Sequence, residues 1–343
     1  MRMVDSGTEE SPALAAKLST DLDTNTVQRG PVRTRHLNLQ PLNHLADDEG
    51  PSSPKIDLRH EWVENEGVRL HVVRAGEGPA VVLLHGFPEN SQTWKHQIPA
   101  LVSAGYSVIA PDLRGYNESD RPTAPGAYHL KHLVADVAAI IRASGHTRAN
   151  IVGHDWGGIL AWTFAGACPE MVDTLVVMNA PHRAIYQREL RPFSRQFFKA
   201  WYVLLFLIPV LSEWLLSAFN FTPVRYLFRR VPALPAFTDA EIEAYVAALA
   251  TRGALTAALR WYRDNTDEES ARLSRSAKTA APTLVVWGMR DSTLVPELLN
   301  GLERYAPLVR VHKIDAASHW VQNEAPAEVN QALVEFLEGH RHP

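Results

Sequence analysis

The chain has 343 residues, 46% hydrophobic and 21% charged; this excludes a wholly disordered or collagen-like polymer and leaves ample apolar mass for a core. Lys plus Arg number 34 and Asp plus Glu 38, a net charge of −4, so electrostatics make no case for nucleic acid or an anionic membrane surface. A single cysteine, Cys168, excludes an intrachain disulfide and a multi-thiolate metal site and is compatible with a cytoplasmic, reducing location.

Residues 1–55 are polar and aperiodic and end in Asp47-Asp48-Glu49-Gly50-Pro51. They read as a disordered tail, with a partner-binding arm as the alternative. There is no basic start followed by an apolar run, and acids at Asp5, Glu9 and Glu10 argue against an organellar presequence.

From Ile56 the texture changes. Strands are expected at residues 56–62 and 68–73, joined as a hairpin by Glu64-Asn65-Glu66-Gly67. Short apolar runs at 80–84, 107–110, 149–152 and 174–178 read as buried strands. Between them, helices are expected at 91–103, 130–144 and 158–167, the second with apolar spacing at Leu133, Val137, Ile140 and Ile141. This alternation predicts βαβ units and a parallel sheet. From Pro181 to Ser270 the rhythm stops, giving a helical insert rich in aromatics and leucine. It resumes with a strand at 282–287, a helical stretch at 296–304, a strand at 309–314 and a last helix at 326–337. The expected organisation is a first core part at 56–182, a helical cap at 183–270 and a second core part at 271–343.

The run Trp201 to Leu211 is about half the roughly 20 residues a spanning helix needs, and Pro209 interrupts it. It reads as a buried cap helix, with shallow membrane contact as the alternative; no spanning segment is expected.

The chemistry concentrates at Gly153-His154-Asp155-Trp156-Gly157, where a strand runs straight into a helix. This is the nucleophile-elbow pattern with Asp in place of Ser. The flanking glycines let neighbouring strands and helices approach, and the helix N-terminus favours a negative charge. Alone, the string also fits an ordinary N-cap aspartate. Asp291 follows the strand at 282–287, and His319 follows the strand at 309–314, so both belong at the same sheet edge as Asp155. Each alone reads as a turn or surface residue. Together, in the order nucleophile, acid, histidine, they form a candidate triad. His85-Gly86-Phe87-Pro88 follows the strand at 80–84, where a second oxyanion-hole amide belongs, so the expected donors are the backbone N–H groups of Phe87 and Trp156.

Asp in place of Ser selects the reaction. A serine attacking a saturated carbon would give an inert ether, whereas a carboxylate gives an ester that water can cleave at its carbonyl. Electrophilic sp³ carbons, in epoxides and alkyl halides, are the expected targets. An epoxide oxygen needs a proton donor, and Tyr202 and Tyr262, in aromatic settings of the insert, could supply it. Either tyrosine alone also reads as packing.

The chain resembles the α/β-hydrolase-fold epoxide hydrolases over residues 56–338. The resemblance rests on His85-Gly-Phe-Pro-Glu89, Asp112-Leu-Arg-Gly115, Gly153-His-Asp-Trp-Gly157, Trp261-Tyr262-Arg263 and His319-Trp320 followed by Gln322, Glu324 and Pro326. It implies a mostly parallel eight-stranded sheet flanked by helices, with an inserted helical cap. It also implies Asp155 as nucleophile, His319 and Asp291 as charge relay, Tyr202 and Tyr262 as epoxide-oxygen donors, and a cis peptide before Pro88. The substrate would be a small apolar epoxide, with water as co-substrate, no cofactor, and a monomer or homodimer. One departure is Asn117, where the family carries glycine; Asn tolerates a positive φ. A haloalkane-type dehalogenase is the nearest alternative, but Phe87 stands where it commonly has a halide donor, and a fluoroacetate-type enzyme would want Arg where Trp156 stands. A Ser-type esterase is disfavoured by Asp155. A non-catalytic ligand-binding member of the fold remains an alternative of another class.

Overall fold

The computed structural model describes residues 56–341. The tail at 1–55 and the last two residues lie outside them. Eight strands form one sheet: β1 (Arg59–Asn65), β2 (Val68–Ala75), β3 (Ala80–Leu84), β4 (Ser107–Pro111), β5 (Ala149–His154), β6 (Val172–Met178), β7 (Thr283–Gly288) and β8 (Val309–Ile314). Their spatial order is β1-β2-β4-β3-β5-β6-β7-β8. β2 pairs antiparallel with β1 and β4, and all other pairs are parallel.

The sheet is covered on both faces, as parallel strands require. Val82 and Leu84 of β3 pack with the helices α2 (Leu130–Ala143) and α3 (Trp156–Ala167). Their neighbours Val81 and Leu83 pack on the other face with α1 (Gln97–Ser103) and the last helix, Pro326–Glu338. The period-two alternation of the strand thus feeds two cores.

Three expectations in the core need correction. The hairpin turn is Glu66-Gly67 alone, at φ 51° and 74°, because Asn65 already pairs with Val68. The helix expected at 91–103 is broken into a 3₁₀ turn, Ser91–Trp94, and α1. Pro99 has no N–H for the Lys95 carbonyl, so it sits in the first turn of α1, where none is needed. The stretch at 296–304 is two 3₁₀ turns, Pro296–Leu299 and Leu302–Arg304, separated by Gly301 at φ 91°.

Between β6 and β7 the regular structure is all helical: α4 (Arg183–Glu189), α5 (Arg195–Lys199), α6 (Trp201–Phe206), α7 (Leu211–Arg230, broken by non-helical backbone at Ala218–Phe221), α8 (Asp239–Ala250), α9 (Ala254–Arg263) and α10 (Glu268–Arg275). The run Trp201–Leu211 is not a buried helix. It ends as a helix at Phe206, and Trp201, Leu204 and Val210 are 65%, 62% and 78% exposed. Only one side of α6 packs inward: Phe206 is buried, and Tyr202, Val203 and Leu205 lean on the core. Among the described residues no single helix is long and apolar enough to cross a membrane.

Candidate active site

Asp155 stands between β5 and α3 at φ 50°, ψ −121°, a conformation an L-residue adopts at a cost of about 1–3 kcal/mol. The turn is this tight because glycine flanks it: a Cβ at Gly157 would lie 2.1 Å from the Leu84 carbonyl oxygen. The reward is position. The carboxylate projects beyond the C-terminal end of the central strands, where α/β sheets bind ligands.

Asp291 and His319 follow β7 and β8 and reach the same place. His319 Nδ1 lies 2.8 Å from Asp291 Oδ2, and His319 Nε2 lies 3.5 Å from Asp155 Oδ2. All three groups are largely buried. Burial opposes charge on each, but mutual attraction wins. Desolvation lowers the His319 pKa, yet the adjacent Asp291 and Asp155 carboxylates push it well above its ordinary value. Burial likewise raises both aspartates, and the imidazolium outweighs it, so both sit below the usual carboxylate range. The resting state is therefore carboxylate, imidazolium, carboxylate.

The turn after β3 brings its backbone to the nucleophile. The Phe87 N–H donates to Asp155 Oδ1 at 2.9 Å, and the Phe87-Pro88 peptide is cis. Trp156 opens α3, so its N–H has no intrahelical acceptor. His85 is fully buried and holds this turn: Nδ1–H donates to the Gly86 carbonyl at 3.0 Å, and Nε2 accepts the Leu113 N–H at 3.0 Å. Asn117 takes φ 41°, a conformation asparagine tolerates, and donates to the buried Asp112 at 2.8 Å.

The insert closes the site from above. Tyr262 on α9 packs edge-on against Trp156, Phe87 and Phe206, with ring centroids 5.0, 5.6 and 5.0 Å apart. Tyr202 on α6 packs against the same Phe206 at 5.4 Å. Burial pushes both phenols well above their ordinary pKa. For Tyr202 the neighbouring Tyr186 adds to this, then the Asp155 charge; for Tyr262 the Asp155 charge adds, then Tyr202, against a hydrogen bond with Trp156. Both phenols therefore stay protonated at neutral pH.

Sequence reasoning missed several supports. Asn179, just beyond β6 at φ 40°, donates to Asp291 Oδ2 at 2.8 Å and accepts the Gly288 N–H at 2.8 Å. The Thr293 N–H and hydroxyl each reach Asp291 Oδ1 at 2.7 Å, and the Leu294 N–H does so at 3.0 Å. His154, wholly buried, lies 3.0 Å from Glu89 and donates through Nε2 to the His319 carbonyl at 2.9 Å. The strand-end rule that pointed to Asp291 and His319 would also have pointed to Asn179. Among the described residues no group of three or more His, Cys, Asp or Glu is arranged to hold a metal.

A chain of this geometry has known relatives. Residues 79–326 match the family model described as alpha/beta hydrolase fold. The chain is 36% identical over 282 residues to the AB hydrolase superfamily protein YfhM of Bacillus subtilis, covering 82% of this chain and 98% of that protein. It is 36% identical to epoxide hydrolase 3 of Xenopus tropicalis, covering 80% and 76%. Among solved structures, the Bacillus megaterium epoxide hydrolase bound to an inhibitor superposes with a TM-score of 0.74 at 32% identity, covering 81% of this chain and all of that one.

Proposed function

We propose, for a chain that belongs to the alpha/beta hydrolase fold family and groups there with its epoxide hydrolases, that it opens an apolar epoxide to a vicinal diol through an ester on Asp155. The observation that carries this reading is a carboxylate at the elbow, 3.5 Å from the imidazole of His319.

In the first step Asp155 Oδ attacks one epoxide carbon. The carbon–oxygen bond breaks, and Tyr202 or Tyr262 gives its proton to the departing oxygen, leaving a phenolate. Alkylation removes the Asp155 charge, one of the two that hold the proton on His319. The imidazolium then releases its proton, which restores the phenol. In the second step neutral His319 takes a proton from water, and the hydroxide attacks the Asp155 carbonyl carbon. The Phe87 and Trp156 N–H groups hold the oxyanion, at about 3 kcal/mol per donor. Collapse expels the alkoxide, which takes the remaining water proton; diol, carboxylate and imidazolium are restored. Asp291 stays ionised throughout and orients the imidazole.

Two protonated phenols that feel the Asp155 charge favour an epoxide over an alkyl halide, since a departing halide needs no proton. The aromatic rings packed around Tyr262, those of Phe87, Trp156 and Phe206, suit an apolar substrate body.

A single turnover in ¹⁸O-water tests the mechanism. The first diol should be unlabelled, with the label entering Asp155. Label found in the first-turnover diol would overturn it.

A further inference from the structure

Glu324, in the short helix α11 (Val321–Glu324), is 6% exposed, yet its carboxylate meets five donors. Oε2 accepts the N–H groups of Ser318 at 3.0 Å, Ala233 at 2.8 Å and Leu234 at 3.1 Å. Oε1 accepts the Ser318 hydroxyl at 2.7 Å and the Trp320 N–H at 3.1 Å. Ser318 and Trp320 are the chain neighbours of His319. Ala233 and Leu234 belong to the connector between α7 and α8 of the insert, and the Ala233 N–H also reaches the Ser318 hydroxyl at 3.2 Å. One buried carboxylate thus grips the backbone on both sides of His319 and joins it to the insert. A neutral amide of the same length cannot do this: the four backbone donors are fixed, and only an acceptor at both oxygens satisfies them.

We infer that Glu324 is a positioning residue for His319, and that it ties the insert's connector to the loop carrying that base. The inference rests on the covalent reading above, in which His319 activates water in the second step. A base displaced by about 1 Å loses on the order of a hundredfold in rate. Alkylation of Asp155 needs no proton transfer by His319, so misplacement should fall on ester hydrolysis.

Glu324→Gln tests this. Its amide oxygen can replace Oε2, but its NH₂ then faces the Trp320 N–H, donor against donor. Alkylation in a single turnover should stay within about threefold of wild type, while ester hydrolysis slows by about tenfold or more. The ester should then accumulate, visible by intact-protein mass. Ser318→Ala removes one donor and leaves the carboxylate, and should shift the same split in the same direction by less. If Glu324→Gln is not recovered folded by circular dichroism, Ser318→Ala decides by the same measurement. An equal loss in both half-reactions, or no loss in either, overturns the inference. Wild type is measured alongside: if it forms no ester, the covalent reading fails and this inference falls with it.

Discussion

The Phe87 backbone N–H donates to Oδ1 of Asp155 at 2.9 Å, joining the turn after β3 to the elbow after β5. The two strands are neighbours in the sheet, so their ends lie side by side. The approach depends on Gly86, where a Cβ would stand 2.5 Å from the Asp155 Cβ and 2.8 Å from its Oδ1. Gly86→Ala should therefore push the carboxylate off this donor and lower kcat by about a hundredfold or more. Steady-state kinetics on a styrene-type epoxide check it, and a near-normal rate would mean that the amide is not needed.

The ion triad makes stability depend on pH in two opposite senses. His319 has a raised folded pKa, so its contribution is full below its unfolded value of about 6.5 and is lost as pH rises toward the folded value. Asp155 and Asp291 have depressed folded pKa values, so their contributions are present above about pH 4 and are lost as pH falls through the folded values. The gap in urea midpoint between wild type and His319→Gln should be widest between about pH 4 and 6.5. A gap that grows above pH 8 would contradict a protonated resting imidazole.

Removing both phenols should cost more than removing either. Tyr202→Phe or Tyr262→Phe leaves one donor, whereas the double variant leaves the alkoxide without a proton and should lose about a hundredfold or more in alkylation rate. Stopped-flow quenching of Trp fluorescence on ester formation can follow it. A double variant with near-full rate would dismiss both tyrosines.

Cys168, the C-cap of α3, is fully buried, and burial pushes its thiol up to about 12. Iodoacetamide at pH 8 should leave the native chain unlabelled, with activity intact, and label one site only after unfolding. Rapid native labelling would show that the C-terminal end of α3 opens.

Much of the fold was legible because it rests on local repetition. Ala80–Leu84 and Val309–Ile314 are apolar or alternating runs bounded by turn residues, and period two marks them without knowledge of their partners. The ends of segments were less legible. Pro99 divides a stretch whose apolar pattern continues across it. The face of α6 that meets solvent has the same leucine and tryptophan content as a buried one, so exposure could not be read from composition. At the site, Asp155, Asp291 and His319 could be picked out by chain order at strand ends. Asn179 stands at a strand end as well, so the same rule reaches it; Thr293, in a loop, and Glu324, in a short helix, carry no such mark.

The 343 residues and their near-neutral charge by themselves determined a soluble-type composition with one lone thiol, and the strand rhythm determined a parallel sheet interrupted once. The sequence also selected a carboxylate for the elbow, because residue type is a local property. Only the tertiary structure decided the distances: 2.8 Å from His319 to Asp291, 3.5 Å to Asp155, and the five donors around Glu324. Asp155, Asp291 and His319 lie far apart in the chain, as do Ala233 and Leu234 from Glu324. Sheet order, helix packing and the return of the insert bring them together, and no local pattern encodes such a meeting.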